Sequence, residues 1–142
     1  MLTWPDRGED LEATLHNVVR WAHSRFEYVP DLDRWKENFS FNGDHWETDA
    51  ELLADMQNNG RVRGDCDAFA KMCWMALRSL AVPSRLVLCL DETGGGHLVC
   101  EASGWILDNR YAVVIPRDEL ERLGYEWLSK SGYAPGQQWT TM

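Results

Sequence analysis

The chain changes its period once, and that change limits its fold more than any other feature. Before Leu80 the periodic segments repeat at steps of three and four; after Val82-Pro83 come short β-branched or aromatic runs separated by turn residues. Between 9 and 28, Leu11, Leu15, Val18, Val19, Ala22 and Phe26 fall on one face, which predicts an amphipathic helix closed off by Pro30. Residues 31–42, with Trp35, Phe39 and Phe41, hold no period and read as a loop with aromatic anchors. Thr48 with Glu51 three residues on is a capping box, so a short helix should run to about Gln57 before Asn58-Asn59-Gly60 stops it. A buried helix over 68–80 carries Phe69, Met72, Cys73, Ala76, Leu77 and Leu80 at helical steps. Runs 85–90, 97–102, 105–109 and 111–115 read as strands, with 91–96 and Ser103-Gly104 as turns. Residues 116–123 predict one more short helix and 125–129 a last strand. Helices first and an antiparallel sheet afterwards make an α+β class.

With 142 residues the chain has the length of one ordinary domain, 1–142, large enough for a core that needs no disulfide or metal staple. No repeat or low-complexity linker divides it. Fourteen basic against twenty-three acidic side chains give a net charge of −9, which repels phosphate backbones and anionic membranes. The expected partners are therefore neither nucleic acid nor membrane; a protein or peptide substrate, or a cation such as calcium, suits the charge. Met1-Leu2-Thr3-Trp4-Pro5-Asp6 has no signal-peptide pattern and no apolar run reaches membrane-spanning length, so a cytoplasmic protein is expected, with export by a removed leader or another route left open. Cys66, Cys73, Cys89 and Cys100 form no C-x-x-C pair and no zinc spacing, and free thiols are expected. His16 and His23 read as partly exposed residues of the first helix.

Cys66 stands where a thiol can become a nucleophile, between Gly64-Asp65 and the start of a helix, whose positive end lowers a thiol pKa. Its neighbours Asp65 and Asp67 act in the opposite direction, unless a cation neutralises them; helix capping is their simplest role. His97 opens a strand behind Gly94-Gly95-Gly96, and Asp108 lies in the next one. If Ser103-Gly104 is a two-residue hairpin turn, Ala102 faces Trp105, Val99 faces Asp108 and His97 faces Arg110. His97 and Asp108 are then diagonal neighbours on one sheet face, roughly 7–8 Å apart between backbones, and a carboxylate can hold the imidazole. A turn one residue longer puts them on opposite faces. A nucleophile, a base and an orienting acid in this arrangement form an acyl-transfer site.

These motifs resemble those of the bacterial transglutaminase-like cysteine proteinases, a branch of the papain-like superfamily. The resemblance rests on Gly64-Asp65-Cys66-Asp67-Ala68-Phe69-Ala70, on Asp44-His45-Trp46-Glu47-Thr48 and Glu51 upstream, and on 86–90, His97-Leu98-Val99 and Leu107-Asp108-Asn109 downstream. It implies a papain-like or transglutaminase-like core, with N-terminal helices on an antiparallel sheet and the nucleophile at a helix N-terminus. It further implies a peptidase or amidase in which Cys66 attacks, His97 is the general base, Asp108 orients it, and a thioester forms. The oxyanion would rest on the Cys66 backbone N–H, with the Trp46 indole as a second donor. Asp65 and Asp67 would be calcium ligands, although Ala68 and Phe69 stand where relatives commonly carry a second acid and an aromatic. Transglutaminases and acyltransferases use the same triad, and a degenerate member would only hold a peptide in its groove.

Overall fold

A computed structural model describes residues 3–29 and 48–142. In chain order its elements are α1 (Leu11–Ser24), β1 (Phe26–Tyr28), α2 (Asp49–Asn59), β2 (Val62–Gly64), α3 (Cys66–Ser79) and β3 (Arg85–Leu90). There follow β4 (Gly96–Ala102), β5 (Trp105–Leu107), β6 (Ile115–Pro116), α4 (Arg117–Leu123), β7 (Glu126–Lys130) and β8 (Thr140–Thr141). Six strands form one antiparallel sheet in the order β6-β5-β4-β3-β7-β8, and β1 with β2 forms a separate parallel ribbon. The α+β class expected from the change of period is the one adopted.

α1 starts where Asp10 accepts a hydrogen bond from the Ala13 N–H at 2.8 Å, and it buries Leu15, Val18, Val19 and Ala22. It ends at Ser24, not at 28. Phe26 to Tyr28 instead extend alongside Val62 to Gly64, with the Val62 N–H donating to the Arg25 carbonyl at 2.6 Å and the Val29 N–H to the Gly64 carbonyl at 2.8 Å. Val29 is β-branched and precedes Pro30, which disfavours helical backbone there. Phe26 still reaches the core, its ring edge-on to Phe69 at 5.3 Å.

The capping box of α2 is made on both sides: the Glu51 N–H donates to Thr48 Oγ1 at 3.2 Å, and Glu51 Oε1 accepts from the Thr48 N–H at 3.3 Å. Gly60, at φ 75°, ends the helix two residues later than the sequence suggested.

α3 lies against one sheet face, its Phe69, Met72, Cys73 and Leu77 packed in one cluster with Leu86, Leu98, Cys100 and Leu107. The alternate residues Val87, Cys89, Val99 and Ile106 face the other way, onto Leu120 and Tyr125. Each such buried Leu, Val, Ile or Phe contributes about 1.5–3 kcal/mol, so both faces hold the sheet in register. The run 111–115 is not the strand its composition suggested: only Ile115 and Pro116 pair with β5. Asp108 and Asn109 are turn formers, and the Tyr111 N–H closes a turn onto the Asp108 carbonyl at 3.1 Å.

Candidate active site

Cys66 is the first residue of α3, delivered there by β2 and capped by Asp65, whose Oδ1 accepts from the Asp67 N–H at 3.0 Å. The helix therefore begins two residues before the expected 68, which puts the half-buried thiol in its first turn. Sγ donates to Asp67 Oδ1 at 3.5 Å. Burial is the largest influence on this thiol and pushes its pKa well up; the Asp67 and Asp65 charges add to that, while the Leu98 backbone N–H, aimed at the sulfur, lowers it. Without compensating positive charge the sulfur stays protonated at neutral pH.

The hairpin that presents the base has the expected two-residue turn. Ser103 and Gly104 both take positive φ, 51° and 85°, as a type I′ turn requires. The register is Ala102 opposite Trp105, Glu101 opposite Ile106 and Cys100 opposite Leu107. β5 stops at Leu107, earlier than the expected 109, and Asp108 begins the turn beyond it. The diagonal relation survives: His97 Nε2 and Asp108 Oδ1 are 2.7 Å apart, at 6% and 1% side-chain exposure. With Nε2 committed to the carboxylate, Nδ1 is the nitrogen left to exchange a proton with a thiol.

Asp108 has further partners that sequence reasoning missed. Oδ1 also accepts from the Arg110 N–H at 3.0 Å, and Oδ2 accepts from the Tyr125 hydroxyl at 2.8 Å. Tyr125 in turn accepts from Arg110 Nη1 at 2.9 Å, and Arg110 is paired with Glu92. Tyr125 and Glu92 lie far from Asp108 along the chain, and no periodic pattern marks them.

Cys66 and His97 line one open cleft of about 630 Å³, together with His23, Phe26, Tyr28, Asp91, Gly96, Asn109 and Arg110. His23 is partly exposed on α1, as expected, and also borders the cleft: its Nε2 meets the Tyr111 carbonyl at 2.7 Å and its ring lies 4.7 Å from Phe69. Helical period places it on α1, but only the packing of α1 beside α3 places it in the cleft. A second crevice of about 340 Å³, around Arg85, Glu101, Arg117 and Tyr133, contains none of the expected site residues.

Trp46, the expected second oxyanion donor, lies outside the described residues, as do Asp44, His45, Glu47 and the 31–42 segment. Asp65 and Asp67 take the capping and first-turn positions, and one ligand atom from each of Asp65, Cys66 and Asp67 falls within 4.8 Å of the others. All four cysteines are free, with Cys73, Cys89 and Cys100 buried. Among the described residues no helix is long and apolar enough to cross a membrane.

The fold these elements build is a transglutaminase-like core. No protein-family model and no curated protein matches the chain. Among solved structures it is similar to Legionella pneumophila LapG, with a TM-score of 0.64 at 17% identity, covering 89% of this chain and 66% of that one. The EGTA-treated form of LapG gives a TM-score of 0.68 at 16% identity over 96% of this chain and 69% of that one. The calcium-bound form gives 0.63 at 18% identity over 93% and 74%. The chain thus spans about two thirds to three quarters of the LapG chains' length. At these identities the likeness is one of fold, and at that level the resemblance drawn from the motifs is borne out.

Proposed function

We propose that the protein is a transglutaminase-like cysteine peptidase or amidase, with Cys66 as nucleophile, His97 as general base and Asp108 as orienting acid. One observation carries this reading: a buried His97–Asp108 hydrogen bond of 2.7 Å sits in the same cleft as the thiol at the start of α3. His97 takes the Cys66 proton through Nδ1, and the thiolate attacks the carbonyl carbon of an amide. The oxyanion is held by the Cys66 backbone N–H, one of the helix-start donors with no partner inside the helix, and the Trp46 indole is its proposed second donor. As the C–N bond breaks, His97 returns the proton to the leaving amine. Water then gives its proton to His97, attacks the thioester, and releases a carboxylic acid and the free thiol. Asp108 keeps the imidazole in one tautomer and stabilises its protonated form. A neutral or basic polypeptide substrate suits the net charge of −9.

The donor set beside the thiol fits a hard cation. Asp65 and Asp67 supply carboxylate oxygens, and both carboxylates raise the thiol pKa where their charge is not offset. Calcium, present in one LapG structure, is the proposed ion, which Asp65 and Asp67 would hold. When bound it supplies positive charge that offsets these acids and favours the thiolate.

The reaction is tested by incubating the protein with a peptide mixture and a labelled primary amine, with Cys66→Ser as control. New peptide termini dependent on Cys66 support hydrolysis. Labelled amine incorporated at glutamine, with ammonia released and no new termini, makes the protein a transglutaminase instead. Absence of both products contradicts the catalytic reading.

A further inference from the structure

Asp108 must do more than reach His97; it must hold one orientation while the imidazole gains and loses charge. A carboxylate with one partner can rotate or offer its second oxygen. Here both oxygens are engaged at a residue 1% exposed: Oδ1 by His97 Nε2 and the Arg110 N–H, Oδ2 by the Tyr125 hydroxyl at 2.8 Å. Tyr125 is itself held at three points. Its N–H donates to the Leu120 carbonyl at 3.0 Å where Gly124, at φ 112°, ends α4; its ring stands edge-on to His97 with centroids 6.0 Å apart; its oxygen accepts from Arg110 Nη1 at 2.9 Å. Arg110 is braced by Glu92, with Nη1 to Oε2 at 2.8 Å, and lies 3.7 Å from Asp91. Burial and the Asp108 charge hold the Tyr125 phenol well above its ordinary range, so it remains a donor. The Glu92 bond likewise holds Arg110 as a cation.

We propose that Tyr125 is a positioning residue of this site: its hydroxyl, polarised by Arg110, clamps Asp108 and through it fixes the imidazole of His97 toward Cys66. The chain of contacts His97, Asp108, Tyr125, Arg110, Glu92 ties the base to the α4–β7 junction and to the turn before β4. The inference rests on the assignment of Cys66, His97 and Asp108 above, and it adds the groups that keep them in line.

Tyr125→Phe removes only the hydroxyl and keeps the ring against His97, so it separates positioning from packing. Two readouts on the full chain apply. One is the rate of Cys66 alkylation by iodoacetamide, followed by intact mass. The other is the downfield proton resonance of His97 Nε2–H, identified by its absence in His97→Gln. In Tyr125→Phe the alkylation should slow about tenfold, the lower end of what an outer hydrogen-bond partner contributes to a site, and the resonance should shift or broaden while thermal unfolding stays cooperative. Arg110→Met, which changes a side chain nearer the surface, should give a smaller loss of the same sign, partly recovered in Arg110→Lys. A folded Tyr125→Phe with wild-type rate and resonance overturns the proposal. If Tyr125→Phe does not fold, wild-type rates in both Arg110 variants overturn it equally. Failure of the underlying assignment is distinguishable, since wild-type Cys66 would then alkylate no faster in the presence of His97 than in His97→Gln; the proposal falls with it.

Discussion

At Cys66 two demands oppose each other: the site needs a thiolate, and the residues closest in sequence resist one. Burial, Asp67 and Asp65 raise the thiol pKa, and the Leu98 N–H is the lowering contact the described residues provide. His97 and a bound cation are the proposed remedy. Cys66→Ser should abolish amide cleavage with circular dichroism unchanged, because the swap is nearly isosteric at a helix edge; activity surviving it removes Cys66 from the mechanism. His97→Ala should lower kcat by about 10²–10⁴-fold and Asp108→Asn by less. The double variant should be little worse than His97→Ala alone, and losses that multiply contradict a cooperating pair. Asp65→Asn with Asp67→Asn keeps a capping side chain but removes both charges. In that variant EGTA should no longer slow Cys66 alkylation, whereas in wild type it should; calorimetry that detects no calcium binding to folded wild type returns both acids to capping alone.

Among the elements, the hairpin β4–β5 carries the geometry, because a turn of two residues sets which face Asp108 takes. Gly104 sits at φ 85°, so Gly104→Val should cost about 1–2 kcal/mol, read as a lowered thermal midpoint; an unchanged midpoint contradicts the turn assignment. This hairpin was legible in the sequence because its signals are local: Ser-Gly between strand-like runs, then counting outward. The α2 capping box was legible for the same reason. The β1–β2 ribbon was not, since each strand is three residues long and pairs with one remote in sequence. The end of α1 was misread because Phe26 keeps the helical spacing while Val29-Pro30 and the pairing with Val62 draw the backbone out. Tyr125, Arg110 and Glu92 were invisible as a group, because only the packing of Leu120 and Tyr125 over the second face of the sheet brings the α4–β7 junction to the end of β5.

For the molecule as a whole, the two-faced sheet buries groups whose protons the unfolded chain gives up first. Cys73 and Cys100 are held well above the ordinary 9.0, and Cys89 is pushed up to about 12, in each case chiefly by burial. The native state therefore binds more protons than the unfolded one above that ordinary value. The stability these groups contribute is full below about pH 9 and is lost as pH climbs toward their folded pKa values. The thermal midpoint should fall steadily between about pH 9 and 11, and a flat profile contradicts the burial of these thiols.

These three thiols, set beside Cys66, give the most direct test that Cys66 is an activated nucleophile. Wild type and His97→Gln are exposed briefly to limiting iodoacetamide at neutral pH with calcium present, and each cysteine is then quantified by peptide mass spectrometry. Cys66 should be modified first and almost alone in wild type and should lose that preference in His97→Gln, with Cys73, Cys89 and Cys100 unlabelled in both. Equal labelling of all four cysteines, or a Cys66 rate indifferent to His97, contradicts the site.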